Sequence, residues 1–134
     1  MTNERPKTQQ QLAGDAAERL VADRLEARGW SVLARNVHAG RSELDIVAID
    51  PGPPARLVVV EVRFRRSREF GLAEETFDRR KQTLVRRGIG RLLDAGHLPN
   101  GTALPDLPLA VDLAVVESLV SGLRIRLLKN ALED

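Results

Sequence analysis

The chain has 134 residues, 43% of them hydrophobic, and a formal net charge of +2 from 21 basic and 19 acidic side chains. That length fits one domain, and the composition excludes wholesale disorder and a membrane-spanning segment. The absence of cysteine excludes disulfides, thiolate zinc sites and cysteine nucleophiles.

Residues 1–7 read as a flexible polar tail with no apolar segment behind them, so a secretory signal is not expected and a cytoplasmic, membrane-free protein is. Residues 8–134 read as a single domain. Thr8 to Arg28 reads as a helix ended by Gly29. At the helical period Asp15, Arg19, Asp23 and Glu26 gather on its polar side. Leu20, Ala17, Val21 and Leu25 gather on the other, and Glu18 falls among them beside Val21 and Ala22. Trp30 to Asn36 reads as a strand, followed by a loop with His38, Gly40, Arg41 and Ser42. Glu43 to Ile49 is a second strand. Asp50-Pro51-Gly52-Pro53-Pro54 is a strong turn signal, and Arg56 to Arg65 is a third strand, so the two should pair as an antiparallel hairpin.

A polar loop follows, and Asp78 is a good N-cap for a second helix reaching Ala95. Gly88 and Gly90 weaken that helix and suggest either close packing on the sheet or a break. His97 lies just past the helix end. Glycines and prolines make 96–108 a loop. Leu109–Glu117 and Leu123–Leu128 are the last two strands, joined by a turn at Ser121-Gly122. The order α-β-β-β-α-β-β describes an α/β sandwich with a mixed central sheet.

The charge is unevenly distributed. Residues 63–91 hold 10 basic and 4 acidic side chains, whereas the segments before and after are net acidic. Arginine accounts for 18 of the 21 basic residues, and its fork matches phosphate geometry. A polyanionic partner and a merely solvated surface both fit such a block.

The hairpin holds the acids of interest. With period two, Glu61 and Arg63 share a face of the third strand with Val59 and Arg65. Glu43 and Asp45 share a face of the second with Val47, while Leu44, Ile46 and Ala48 take the other. Pairing Asp50 with Arg56 puts Asp45 opposite Glu61. Opposed carboxylates repel, and a cation between them removes the repulsion. Mg²⁺ and Mn²⁺ suit such oxygens, with Glu18 as an outer or third ligand. A salt-bridged patch of Asp45, Glu61 and Arg63 on an exposed sheet face explains the same residues.

Several short pieces, in order and spacing, now carry a resemblance. They are Gly14-Asp15-Ala16-Ala17-Glu18, Leu33-Ala34-Arg35-Asn36, Glu43-Leu44-Asp45-Ile46-Val47-Ala48, Val60-Glu61-Val62-Arg63-Phe64-Arg65, Phe70-Gly71 and Lys81-Gln82. Between Gly14 and Asp112 the chain resembles the YraN family of uncharacterised bacterial proteins. That resemblance implies a restriction-endonuclease-like fold similar to archaeal Holliday-junction resolvases, and a role in DNA processing or recombination. It implies Mg²⁺- or Mn²⁺-dependent cutting of phosphodiester bonds, with Glu18, Asp45, Glu61 and Arg63 as the catalytic set and Asp45, Glu61 and Glu18 as metal ligands.

Three positions depart from the pattern. Arg63 stands where the superfamily prefers lysine, and arginine cannot give up a proton to activate water. Ser42 replaces a glycine, and Ala110 replaces an arginine two residues before Asp112. Arg65, Arg66, Arg68, Arg79, Arg80, Lys81 and Gln82 are the expected grip on duplex or branched DNA. A non-catalytic nucleic-acid-binding module and a protein-interaction domain, the latter dimerising through a sheet edge, are the competing expectations.

Overall fold

The computed structural model describes residues 5–65 and 77–132. Its elements are α1 (Gln9–Ala27), β1 (Ser31–Ala39), β2 (Ser42–Asp50), β3 (Arg56–Arg65), α2 (Arg79–Ala95), β4 (Leu109–Leu119) and β5 (Gly122–Leu128). The order matches the one read from the sequence.

Local chemistry sets the helix ends. The Thr8 hydroxyl accepts from the Gln11 N–H at 3.1 Å, and the Gln11 side chain accepts from the Thr8 N–H at 2.9 Å. This reciprocal capping box satisfies two donors that α1 itself cannot. Asp78 accepts from the Lys81 N–H at 3.0 Å and starts α2. Gly96, left-handed at φ 77°, ends it.

The five strands form one sheet in the order β1-β2-β3-β4-β5. All neighbours are antiparallel except β3 and β4, which run parallel. A parallel pair needs a crossover, and α2 lies within the connection that supplies it. The central strands are buried on both faces, which explains the unbroken apolar run Leu57-Val58-Val59-Val60. One face packs Ile46, Ala48, Val58, Val60, Ala114 and Val116 against Ala17, Val21, Ala22 and Leu25 of α1. The other packs Leu44, Val47, Leu57, Val59, Leu113 and Val115 against Val85, Ile89 and Leu92 of α2.

Two sequence-based expectations are corrected here. His38 belongs to β1, which continues to Ala39 before a tight turn at Gly40-Arg41, and is not in a loop. Leu44 packs with Val47 on the α2 face, not with Ile46. Strict alternation cannot put residues three apart on one face, so the strand breaks step between them. The partner strand breaks at the same level. Val37 pairs with Leu44 and Arg35 with Ile46, which leaves Asn36 opposite Asp45, and Asn36 is left-handed at φ 51°. Asparagine tolerates that conformation better than most side chains.

Gly88 resolves in favour of close packing. A Cβ there would stand 2.9 Å from the Ser42 Cβ and 3.3 Å from Leu44. Ser42 uses its hydroxyl to donate to the Leu84 carbonyl at 2.7 Å. α2 therefore lies tightly over the start of β2 and stays unbroken through both glycines.

Candidate active site

The strand break aims the acids. Asp50 pairs with Arg56 and Ile46 with Val60, so the register expected from the turn holds, and its continuation puts Asp45 opposite Glu61. The backbone ladder stops there, and side chains take over. The Asp45 N–H donates to Glu61 Oε2 at 2.9 Å, and the Val62 N–H donates to Asp45 Oδ2 at 2.8 Å. Each carboxylate is thus held by the other strand's backbone. The salt-bridged patch on an exposed sheet face is not what forms, because Glu61 is fully buried. Its other oxygen, Oε1, is buried and has no hydrogen-bond partner among the described residues.

Above this pair opens a cleft of about 390 Å³, lined by Asp15, Glu18, Glu43, Asp45, Arg63 and Lys81 among others. α1 contributes Glu18, buried at 6% exposure among the apolar residues predicted to surround it. α2 contributes Lys81 from its first turn. Lys7, at the edge of the expected tail, also lines the cleft and pairs with Asp15.

Burial dominates the electrostatics. It raises Glu18 from 4.5 to about 7, with the nearby Asp45 charge adding to the effect and Arg35 opposing it. Burial likewise raises Glu61 to about 7, again with Asp45 adding and the Asp45 N–H, Arg63 and Lys81 opposing. Asp45 is also raised by burial, against the Val62 N–H, Arg63 and Lys81. Glu18 and Asp45 line the cleft and Glu61 lies buried at its edge, and the nearby cations do not fully compensate the three, the arrangement that marks functional sites.

Arg63 is already engaged. Its Nη1 donates to the Val62 carbonyl at 2.9 Å and stands 3.9 Å from Asp45 Oδ2. Its guanidinium carbon lies 5.9 Å from the centre of the Phe77 ring, within cation–π range. Arg35, to which the sequence assigned no role, donates from Nε to Glu18 Oε1 at 3.3 Å. The β1–β2 register explains its place. Arg35 pairs with Ile46, and cross-strand partners share a face, so it lies on the α1 side with Glu18.

The expected nucleic-acid contacts separate. Arg79 and Arg80 are exposed on the first turn of α2, Lys81 is half-buried at the cleft, and Arg65 is half-buried at the end of β3. Gln82 is not a surface residue: it is 5% exposed, and its amide donates to the Phe77 carbonyl at 2.9 Å. It fixes the entry to α2 from below. Arg66 and Arg68 lie outside the described residues.

Among the described residues no three His, Cys, Asp or Glu side chains gather as a ready metal cage. Mg²⁺ does not require one, because it commonly takes one or two carboxylates and completes its shell with water and substrate phosphate. The Asp45–Glu61 pair, with an unpartnered buried oxygen on Glu61, fits that two-carboxylate type. Glu18 is occupied by Arg35, which suits a wall of the cleft better than an inner ligand.

A mixed α/β sheet carrying buried acids under a cleft between its two helix N-termini defines the class of molecule. Its family follows from comparison. The profile of the uncharacterised protein family UPF0102 matches residues 17–116, and the chain belongs to that family, which is the YraN family. A UPF0102 protein of Symbiobacterium thermophilum is 37% identical over 119 residues, 88% of this chain and 93% of its own length. Another from Lachnoclostridium phytofermentans is 33% identical over 122 residues, covering 91% and 93%. A third from Roseiflexus castenholzii is 39% identical over 89 residues, covering 66% and 69%. No helix among the described residues is long and apolar enough to cross a membrane.

Proposed function

We propose that the chain is a metal-dependent phosphodiesterase acting on duplex or branched DNA, with a restriction-endonuclease-like arrangement of its sheet and helices. The observation that carries this reading is the Asp45–Glu61 clasp. Buried Glu61 and half-buried Asp45 face each other across a hairpin, and Glu61 keeps an oxygen with no hydrogen-bond partner among the described residues. A protein does not ordinarily retain such a charge pair for stability.

Asp45 and Glu61 would hold Mg²⁺ or Mn²⁺. When bound, the cation supplies Lewis acidity, a more acidic water and charge for the phosphate. The Val62 and Asp45 N–H groups fix one oxygen of each carboxyl and leave the other to the ligand. Arg63 and Lys81 stand beside the acids and offset phosphate charge. Glu18, with a carboxyl at about 7, can hold or release a proton near neutrality next to the reacting phosphate.

The engagement of Arg63 favours a second reading. Its guanidinium is committed to the Val62 carbonyl and the Phe77 ring, and it cannot deprotonate. A binding module that no longer cuts has the same cleft. The test uses a labelled four-way junction, a flap and a duplex, with Mg²⁺, Mn²⁺ or EDTA, and wild type beside Asp45→Asn and Glu61→Gln. Metal-dependent cutting lost in both variants establishes the enzyme. Salt-sensitive, metal-independent binding without cutting establishes the module. No binding to any of the three removes both.

A further inference from the structure

The two helices carry charge differently. The polar side of α1 alternates sign, with Arg19 and Arg24 against Asp15, Asp23 and Glu26. α2 carries Arg79, Arg80, Lys81, Arg86, Arg87 and Arg91 against Asp94. A genome that favours arginine would enrich both helices alike. Concentrating like charge has a cost, since Arg87 and Arg91 are four apart and repel on the helix surface.

The arginines form a row. Buried Val85, Gly88, Ile89 and Leu92 set the inner side of α2. At the helical period Arg80, Arg87 and Arg91 align on the outer side. All three are exposed, and among the described residues none has an ion pair. The row starts one residue from Lys81 of the cleft and ends at the β1–β2 turn. There the Arg91 side chain lies so close over Gly40 that a Cβ would collide with its guanidinium. Gly40 is also left-handed, at φ 64°. Arg91 therefore lies directly over the turn, and exposed Arg41 follows Gly40 in sequence. From Arg80 to Arg91 the helix rises about 16 Å, the axial length of roughly five base pairs.

Gly90 adds an independent observation. It lies on the exposed side of the helix between Arg87 and Arg91, and a Cβ there would meet nothing within 4 Å. Packing gives no reason for it, and a glycine inside a helix is less stable than an alanine there. A bare spot beside a row of arginines suits close approach of another molecule's backbone.

We propose that the outer side of α2, from Arg80 through Arg87, Gly90 and Arg91 to Arg41 of the β1–β2 turn, is a docking ridge for the phosphate backbone of duplex nucleic acid. This rests on the nucleic-acid reading of the cleft and sets the direction in which the duplex leaves it.

The test measures anisotropy of a labelled duplex of about twenty base pairs in EDTA, across about 50 to 200 mM salt. Wild type is compared with Arg87→Ala/Arg91→Ala, Arg87→Lys/Arg91→Lys, Gly90→Ala and the α1 pair Arg19→Ala/Arg24→Ala. The alanine pair on α2 should lose about tenfold in affinity and lower the salt slope by about 2. The lysine pair should restore most of both, and the α1 pair should match wild type. Gly90→Ala should melt at a higher temperature and still bind more weakly. An α2 alanine pair that binds as wild type with an unchanged slope overturns the ridge alone, leaving the cleft reading intact. A wild type that binds neither this duplex nor the labelled four-way junction and flap overturns both.

Discussion

The β2–β3 hairpin carries acids at both ends, and the two ends are opposite solutions to one problem. At the turn, Arg56 bonds Asp50 at 2.8 Å and Asp112 of β4 at 3.1 Å. The Asn130 N–H adds a bond to Asp112 at 3.0 Å. Burial opposes ionisation of Asp50, but the Gly52 N–H and Arg56 outweigh it, and the carboxyl is held below its ordinary value. At the other end, Asp45 and Glu61 are clasped by backbone N–H groups and raised by burial. One end is neutralised from within the fold. The other is left wanting positive charge. The first is structural, and the second is where the proposed function puts a cation and a phosphate.

Substitutions should separate the ends. In activity, Asp45→Asn and Glu61→Gln are each expected to reduce metal-dependent cleavage by at least about a hundredfold, read by single-turnover assay, while leaving the protein folded. In stability the largest loss is expected at the turn. Arg56→Met strands Asp112, whose side chain is fully buried, and should cost about 3–5 kcal/mol by urea denaturation. Equal losses for Arg56→Met and an exposed change such as Arg19→Ala would break the comparison.

Glu61→Gln should have the opposite sign. Glu61 binds its proton more tightly when folded, at about 7 against 4.5. Stability therefore falls as pH rises from about 4.5 to 7, by up to about 3 kcal/mol if the whole shift is realised. Glutamine removes that loss, so the variant should be more stable than wild type at pH 8 and similar at pH 4. Asp50 runs the other way, since its stabilising bonds are lost as pH falls below its ordinary 3.8. The smallest effect should come from added metal: Mg²⁺ or Mn²⁺ should raise the melting temperature of wild type at pH 8 by mass action and leave Asp45→Asn unmoved.

Much of this was legible in the sequence because it is local. Asp78 and the Asp50 turn fixed α2 and the hairpin register, and the helical period put Glu18 on the buried side of α1. What escaped the sequence is non-local or irregular. The period-two reading assigned Leu44 to the wrong face because nothing in β2 announces the break facing left-handed Asn36. Arg56 meets Asp112 only because β4 lies parallel to β3, a pairing made through a crossover and not through a turn. Gln82 looked like a surface polar residue beside Lys81, and one step of 100° carries it under the helix.

The most direct measurement is a carbon-detected NMR titration of the Glu61 and Asp50 carboxyls in the metal-free protein. The two ends of the hairpin are predicted to part: Glu61 titrating near 7 and Asp50 below 3.8. A Glu61 that titrates near 4.5, alongside an unshifted Asp50, would mean that the acids of the cleft are compensated like any surface pair, and would contradict the account.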